Sequence, residues 1–445
     1  MTGAVLYGDS IRFLAFNKNG SSMKENSRVF LGIVLWTVVA LFFVAAGIYV
    51  IAHGMGKGDD EVQTEIYASA IEHVEPESVG LDSYHLGYIA PKVEEYFAMG
   101  ATEGAVVAVV REDKLAYLEA FGNRERGGEA MTVDARFDLA SLTKPVAVAT
   151  SIMQLVERGE VSLEQRVSAV IPEFQDYVDP KTKEVVYATI SDLMSHSSGL
   201  RPYVALSRLE QDYPDREFSR ELLLEYIMTS ERMGAPRTMC KYSCLNYILL
   251  GEIVERLTGV SLAEYTTQNI FAPLQMTNTC FTPNEEYALL SAPTSAVGAD
   301  EELRGVVNDP LARELMAGVS GNAGLFSTAE DLAVYVAMLL NGGEWQGERV
   351  LTSRAVEMLF TVPEGVETTR TMAWDRLSSN FEALEEGEIG SIYVHTGATG
   401  TSIHIDRAQR MAIIILTNRT HAEGAASDIK ELRRSIATIV SYAVM

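Results

Sequence analysis

The sequence predicts a mixed α/β (α+β) fold, in which an antiparallel sheet flanked by N- and C-terminal helices joins a mostly helical lobe. Strand-like hairpins lie near both ends of the folded region, helix-like segments fill most of the chain between them, and a helix-like segment closes the chain. Because the two hairpins are far apart in sequence, we expect one sheet built from distant parts of the chain. A length of 445 residues with 47% hydrophobic content supports a large core.

The N-terminal region contains a predicted membrane span. Residues 29–52 carry no charge, and 24 residues exceed the roughly 20 that cross a bilayer as a helix. Basic residues precede this segment and acidic residues follow it. The positive-inside rule therefore predicts a cytoplasmic tail at 1–28, an anchor at 29–52 and an extracytoplasmic remainder. A cleavable signal peptide is the alternative, although its apolar region should span only about 7–15 residues.

Beyond the anchor, residues 53–78 are polar and are predicted to be a linker to a domain at 79–445. Residues 103–122 predict two strands with a tight turn at Glu112 and Asp113. Residues 401–418 predict a second hairpin that turns at Arg407–Arg410. The second arm of that hairpin is continuously apolar, as expected of a central strand.

Helices are predicted between and after these hairpins, at 145–158, 245–257, 328–341 and 424–445. The helix at 328–341 begins with a Ser-Thr-Ala-Glu-Asp sequence, which is typical of a capped helix start. The predicted sheet therefore uses about 79–137 and 345–445, and the helical lobe spans about 138–344. Catalytic clefts commonly lie between two such parts.

Composition excludes several functional classes. A formal charge of −25 and a pI near 4.7 argue against a nucleic-acid partner. Cys240, Cys244 and Cys280 are too few for a disulfide framework, and sequence alone leaves a Cys240–Cys244 bridge open. The seven histidines show no paired metal spacing, so we predict no metal site.

Ser141 and Lys144 stand three residues apart at the start of an apolar, helix-periodic run. This spacing places both side chains on one helical face. A desolvated lysine can be neutral near pH 7 and can take the proton of a hydroxyl nucleophile. Pro145 is tolerated only in the first turn, so the helix should start near Ser141. The alternative is that Ser141 is an ordinary N-cap and Lys144 a snorkelling side chain.

Two further segments carry groups suited to acyl transfer. Tyr242 precedes an apolar helix and could shuttle a proton beside a cationic lysine. In the sequence HTGATGTSIHID at 395–406, glycines flank a strand start and allow a ligand to approach the backbone. There the Ala398 N–H could stabilise an oxyanion together with the Ser141 N–H, and His395 could bind a carboxylate or assist proton transfer. Taken singly, these are a packing tyrosine and an edge histidine beside a bulge.

Together, the motifs SLTKP, YSCLNYILLG and HTGATGT resemble the serine β-lactamase and penicillin-binding protein superfamily. The sequence is most similar to class C β-lactamase-like serine hydrolases, in the branch of penicillin-binding protein 4B-like proteins. The stretches DLMSHSSGL, VNDPLAREL and GNAGLFSTAEDL match as well, and the resemblance covers roughly 79–445. It implies a β-lactamase/transpeptidase-like fold without a cofactor.

Carried over by position, the resemblance implies that Ser141 is the acylated nucleophile, Lys144 its base and Tyr242 the general acid/base. Substrate-binding residues would be His395, Thr396, Gly397, Ala398 and Cys244. Two of these depart from the family pattern. His395 stands where many relatives have lysine, and it would hold a carboxylate as a weaker, pH-dependent cation. Cys244 stands where asparagine is frequent, and a thiol is a weak hydrogen-bonding group; Cys244 as a competing nucleophile stays open.

The predicted function is a membrane-anchored extracytoplasmic serine hydrolase that acts through an acyl-enzyme. The resemblance suggests a D-Ala-D-Ala carboxypeptidase or a related esterase or peptidase, with peptidoglycan stem peptides, D-amino-acid peptides or small esters as substrates. β-Lactams would be covalent ligands. Two alternatives are a catalytically silent binding or sensing module and a membrane scaffold to which hydrolysis is secondary.

Overall fold

The computed structural model describes residues 71–295, 302–376, 392–421 and 429–445. The predicted anchor at 29–52 lies outside these ranges, and no helix within them is long and apolar enough to cross a membrane. The last part of the predicted linker packs against the sheet. Ile71 is buried, and the Val74 N–H donates to the Leu115 carbonyl at 3.1 Å. The folded unit therefore starts before residue 79.

A six-stranded antiparallel sheet is built from both ends of the domain, as predicted. In chain order, the strands of the described residues are β1 (Gly104–Arg111), β2 (Lys114–Gly122), β3 (Phe137–Asp138), β4 (Tyr177–Val178), β5 (Val185–Val186), β6 (Cys280–Phe281), β7 (Thr294–Ser295), β8 (Glu302–Leu303), β9 (Leu325–Ser327), β10 (Glu344–Trp345), β11 (Glu348–Arg349), β12 (Asp375–Arg376), β13 (Ile392–Thr396), β14 (Ser402–Asp406) and β15 (Met411–Thr417). The sheet has the order β12-β13-β14-β15-β1-β2. Both predicted hairpins are present, and the continuously apolar β15 lies inside the sheet between β14 and β1.

The α-helices within the described ranges follow the predicted pattern in most places. They are α1 (Ser83–Leu86), α2 (Ile89–Ala98), α3 (Thr150–Glu157), α4 (Val167–Val170), α5 (Ile190–Met194), α6 (Leu206–Asp212), α7 (Arg220–Thr229), α8 (Cys244–Thr258), α9 (Leu262–Thr266), α10 (Glu285–Leu289), α11 (Pro310–Leu315), α12 (Ala329–Leu340), α13 (Ser353–Leu359) and α14 (Ile429–Tyr442). Short 3₁₀ turns occupy Pro76–Val79, Ala140–Leu142 and Arg419–His421, and π-helical turns occupy Lys144–Ala149 and Thr267–Phe271. The α-helix predicted at 145–158 is thus a π turn followed by α3.

The two largest hydrophobic clusters of the core lie on opposite sides of the sheet. Along β1, Val106, Ala108 and Val110 pack toward the helical lobe. The alternate residues of β1 belong to a second cluster that includes buried residues of α2 and α14. Since β1 is covered on both faces, it needs apolar residues at nearly every position. This arrangement fixes β13 and β14 against the lobe, where the candidate residues meet.

Candidate active site

Ser141 lies in a 3₁₀ turn that is held in an unusual backbone conformation. The preceding Ala140 has φ 46°, in the left-handed region that costs a non-glycine residue about 1–2 kcal/mol. The Asp138 carboxylate accepts the N–H groups of Ala140 (2.8 Å) and Asn308 (2.6 Å). Burial raises the pKa of Asp138 to about 6. Because the pKa of Asp138 is raised in the folded state, the stability that this carboxyl group contributes at low pH is lost as pH rises through about 6.

The Lys144 amine is buried and points at the serine hydroxyl. Its Nζ lies 2.8 Å from Ser141 Oγ and 2.8 Å from the Asn322 carbonyl oxygen, and no part of the residue is exposed. Burial alone would lower the pKa of Lys144, but electrostatic interactions with the nearby Cys244 thiol and Tyr242 phenol act in the opposite direction. The net effect raises the pKa of Lys144, which is the opposite of the lowered pKa expected from burial alone.

Tyr242 lies beside this pair, just before the N-terminus of α8. Lys144 Nζ is 5.1 Å from the centre of the Tyr242 ring. Ser243 caps α8 by accepting the Asn246 N–H, and this sets the direction in which the chain enters the helix. Cys244 is the first residue of α8, and its N–H donates to the Pro202 carbonyl at 2.8 Å. All three cysteines are free, so a Cys240–Cys244 bridge does not form.

The turn between β13 and β14 lies against the Ser141 turn. Thr399 Oγ1 donates to the Asp138 carbonyl at 2.7 Å, and Thr401 Oγ1 donates to the Leu139 carbonyl at 3.0 Å. These bonds join the chain around Ala398 to the residues before Ser141. Within the described ranges, neither the Ser141 N–H nor the Ala398 N–H donates to a protein acceptor. Both remain available to a developing oxyanion.

The same turn is held from behind by α14. The buried guanidinium of Arg433 donates to the carbonyls of Gly397 (3.1 Å) and Thr401 (2.8 Å). Burial, with the nearby Arg419, lowers the pKa of Arg433 to about 10, which leaves the side chain charged near neutral pH. The closing helix therefore contributes directly to the shape of the site.

His395 lies in the site, but the expectation that it acts as a cation is wrong. The residue is 4% exposed, and its buried Nδ1 has no hydrogen-bond partner among the described residues. Burial first, then the positive charges of Arg370 and Lys144, hold the pKa of His395 well below its usual value. His395 is consequently neutral near pH 7 and does not supply a positive charge to the pocket.

Arg370, which sequence reasoning missed, supplies a positive charge to this site. A cavity of about 340 Å³ is lined by Ser141, Tyr242, Arg370, Asp375, Val394, His395, Thr396, Gly397 and Ala398. The guanidinium carbon of Arg370 lies 4.9 Å from the centre of the Tyr242 ring, and Nη2 lies 3.0 Å from Asp375 Oδ2. The structure thus brings Thr396, Gly397 and Ala398 together around the serine, as predicted. Cys244 lies near Lys144 and does not line this cavity. Arg370 sits in a loop before the two-residue strand β12, where no local motif identifies it.

Comparisons with known proteins agree with this geometry. The profile of the Beta-lactamase family matches residues 89–438. The chain belongs to that family. The N-acetylmuramyl-L-alanine amidase of Bacillus subtilis (strain 168) is 31% identical over 342 residues, which cover 72% of this chain and 77% of the amidase. A protein of Escherichia coli (strain K12) named "Putative D-alanyl-D-alanine carboxypeptidase" is 28% identical over 382 residues, or 78% of this chain and 85% of that protein.

Solved structures show the same fold at lower identity. The octameric penicillin-binding protein homologue from Pyrococcus abyssi is 20% identical with a TM-score of 0.60, covering 80% of this chain and 77% of that chain. A class C β-lactamase from Rhodobacter sphaeroides is 20% identical with a TM-score of 0.61, covering 80% and 99%. The chain is a β-lactamase-family serine hydrolase with the mixed α/β fold of that family, and the predicted resemblance is confirmed.

Proposed function

We propose that this protein is a serine carboxypeptidase for peptides that end in D-Ala-D-Ala, acting through an acyl-enzyme on Ser141. The observation that carries the proposal is the 2.8 Å contact between Lys144 Nζ and Ser141 Oγ in a cavity that also contains the Arg370 guanidinium. The first feature suits attack on a carbonyl, and the second suits a substrate with a free carboxylate. The name of the Escherichia coli relative supports the same substrate class.

In the acylation step, Ser141 Oγ attacks the penultimate carbonyl and forms a bond to carbon. Lys144 and Tyr242 act as one coupled unit that takes the serine proton. The N–H groups of Ser141 and Ala398 stabilise the oxyanion of the tetrahedral intermediate. Tyr242 then donates a proton to the leaving amine, the C–N bond breaks, and D-alanine departs. Water attacks the ester by the reverse proton path and frees the serine.

Arg370 would bind the terminal carboxylate of the substrate. Asp375 already engages one amino group of the guanidinium, which leaves further N–H donors for a ligand. This pairing also reduces the positive charge of the pocket, and it favours a second candidate, an esterase that accepts uncharged substrates. The two functions differ in how much they depend on Arg370.

D-Alanine release from a peptide ending in D-Ala-D-Ala, compared with D-alaninamide release from the same peptide capped as a C-terminal amide, tests the proposal. The Ser141→Ala variant should release none. Arg370→Gln should raise KM for the free acid about 10- to 100-fold, since it removes a charge-assisted hydrogen bond, and should change KM for the amide much less. Arg376→Gln, an exposed arginine on β12, is the matched control.

An equal loss on both peptides would contradict carboxylate recognition by Arg370. Ester turnover without any D-alanine release would favour the esterase. Peptide mapping after incubation with a β-lactam should find the adduct on Ser141; an adduct on Cys244 would overturn the nucleophile assignment, and neither adduct nor turnover would favour a silent binding module.

We further propose that residues 29–52 anchor the protein in the cell membrane, with residues 1–28 in the cytoplasm and the catalytic domain outside. The support is the uncharged 24-residue run and the basic residues before it. The full chain should remain in membranes after a high-salt wash, and deletion of 29–52 should release it with ester turnover intact. A soluble product shortened at its N-terminus would indicate a cleaved signal peptide, and loss of activity in a folded deletion variant would favour the scaffold alternative.

A further inference from the structure

His196 contacts the chain on both sides of Tyr242. Its carbonyl oxygen accepts the Lys241 N–H at 2.9 Å, and its ring Nδ1 accepts the Ser243 N–H at 3.1 Å. Since Lys241 and Ser243 are the neighbours of Tyr242 in sequence, one residue fixes the backbone immediately before and immediately after the phenol.

The imidazole also packs against the phenol ring itself. The ring centres of His196 and Tyr242 lie 4.5 Å apart with an interplanar angle of 41°, and Tyr247 lies on the same imidazole at 5.2 Å. Only 4% of His196 is exposed. The Tyr242 ring therefore packs against a buried imidazole, and the Arg370 guanidinium carbon lies 4.9 Å from the centre of the same Tyr242 ring.

The backbone at His196 is itself strained, with φ 60°. A non-glycine residue keeps such a conformation only where the surroundings enforce it, and strain of this kind is concentrated at functional sites. Here the neighbouring serines enforce it. The Ser197 N–H donates to the Asp192 carbonyl at 2.8 Å, and Ser198 Oγ donates to Asn246 Oδ1 at 2.6 Å on α8.

Electrostatics keep this imidazole in one form. Because the Ser243 N–H donates to Nδ1, the neutral ring carries its hydrogen on Nε2. Burial first, then the charges of Arg370 and Lys144 and the proximity of His395, hold the pKa of His196 well below its usual value. The Nδ1 acceptor is therefore preserved throughout the neutral pH range.

We propose that His196 is a positioning residue that holds the Tyr242 phenol in place beside Ser141 and Lys144. The inference rests on the proposed function in one respect, the role of Tyr242 in proton transfer. His196 does not touch the reacting atoms; it acts through the two backbone hydrogen bonds and the ring contact. A loss of this support should impair the chemical step and leave substrate binding nearly intact.

A double-mutant cycle between His196→Asn and Tyr242→Phe tests the proposal in the full-length protein, with a chromogenic ester as substrate. Asparagine tolerates the left-handed backbone but removes the ring. With Tyr242 present, His196→Asn should lower kcat about 100-fold, the scale expected for a displaced catalytic group, and change KM little. With Tyr242→Phe, the same substitution should cost less than about 3-fold, because independent sites add and coupled sites do not.

His404→Asn is the matched control, since His404 is a buried histidine on β14 that does not line the cavity containing Tyr242. Its effect should be the same in both backgrounds. An equal cost of His196→Asn with and without the phenol would overturn the proposal. A Tyr242→Phe variant as active as the wild type would instead contradict the role of Tyr242 in the proposed function. Each activity is divided by the number of protein molecules that a β-lactam acylates, which counts the folded enzyme. If the His196→Asn variant does not fold, the cycle is repeated with His196→Gln.

Discussion

Replacing Lys144 with methionine is expected to lower kcat/KM for ester hydrolysis about 1,000- to 10,000-fold, the upper range for loss of a proton-transfer group. Methionine has a similar length but cannot donate a hydrogen bond to Ser141 Oγ or take part in the transfer of its proton. Two stability effects oppose each other. Removing a buried cation relieves its desolvation cost, whereas the Asn322 carbonyl loses its donor, at a cost of about 1–3 kcal/mol. We therefore expect the free energy of unfolding to change by less than about 2 kcal/mol.

Steady-state kinetics and urea unfolding of the same preparation measure both quantities. Lys114→Met is the control. It removes a half-exposed lysine at the start of β2 that pairs with Glu72, and it should leave kcat/KM unchanged. Activity of a folded Lys144→Met variant within 10-fold of the wild type would contradict the role given to Lys144.

The strand framework was predictable because its signals are local. In the 103–122 hairpin, Glu112 and Asp113 adopt φ 49° and 63°, and aspartate tolerates this left-handed conformation better than most residues. The continuous apolar run of β15 indicated burial on both faces, and β15 is central. The Ser141–Lys144 spacing and the flanking glycines of 395–406 indicated groups that the fold does bring together.

The parts that were missed depend on tertiary contacts. An α-helix was predicted after Ser141, but the Pro145 carbonyl is bonded by the Thr150 hydroxyl (3.1 Å) and by the Tyr335 hydroxyl (3.1 Å) from α12. These partners favour a wider π turn that no local pattern indicates. The direction of the Lys144 pKa was not predictable for a similar reason, since the sequence indicates burial but not the neighbouring phenol and thiol. Arg370 and His196 enter the site only because distant segments fold against it.

Replacing Gly397 with alanine is also expected to have a large effect on the rate of acyl transfer. A Cβ at this position would lie 2.1 Å from Thr401 Oγ1 and 2.5 Å from the Leu139 carbonyl oxygen, far inside contact distance. Those two atoms form the 3.0 Å hydrogen bond that joins the β13–β14 turn to the serine turn. The methyl group must separate them and thereby move the Ala398 N–H away from the Ser141 N–H.

Loss of one oxyanion donor typically lowers kcat about 100- to 1,000-fold, so we expect a decrease of that order with a smaller change in KM. The rate of β-lactam acylation should fall in parallel, while the final extent of acylation counts the folded molecules. Gly234→Ala is the control, because its Cβ would meet no atom closer than 3.4 Å. An unchanged acylation rate in Gly397→Ala would show that the turn adapts without moving Ala398. Because neither N–H has another acceptor in the described structure, the spacing of these two turns should set the rate of every acyl transfer at Ser141.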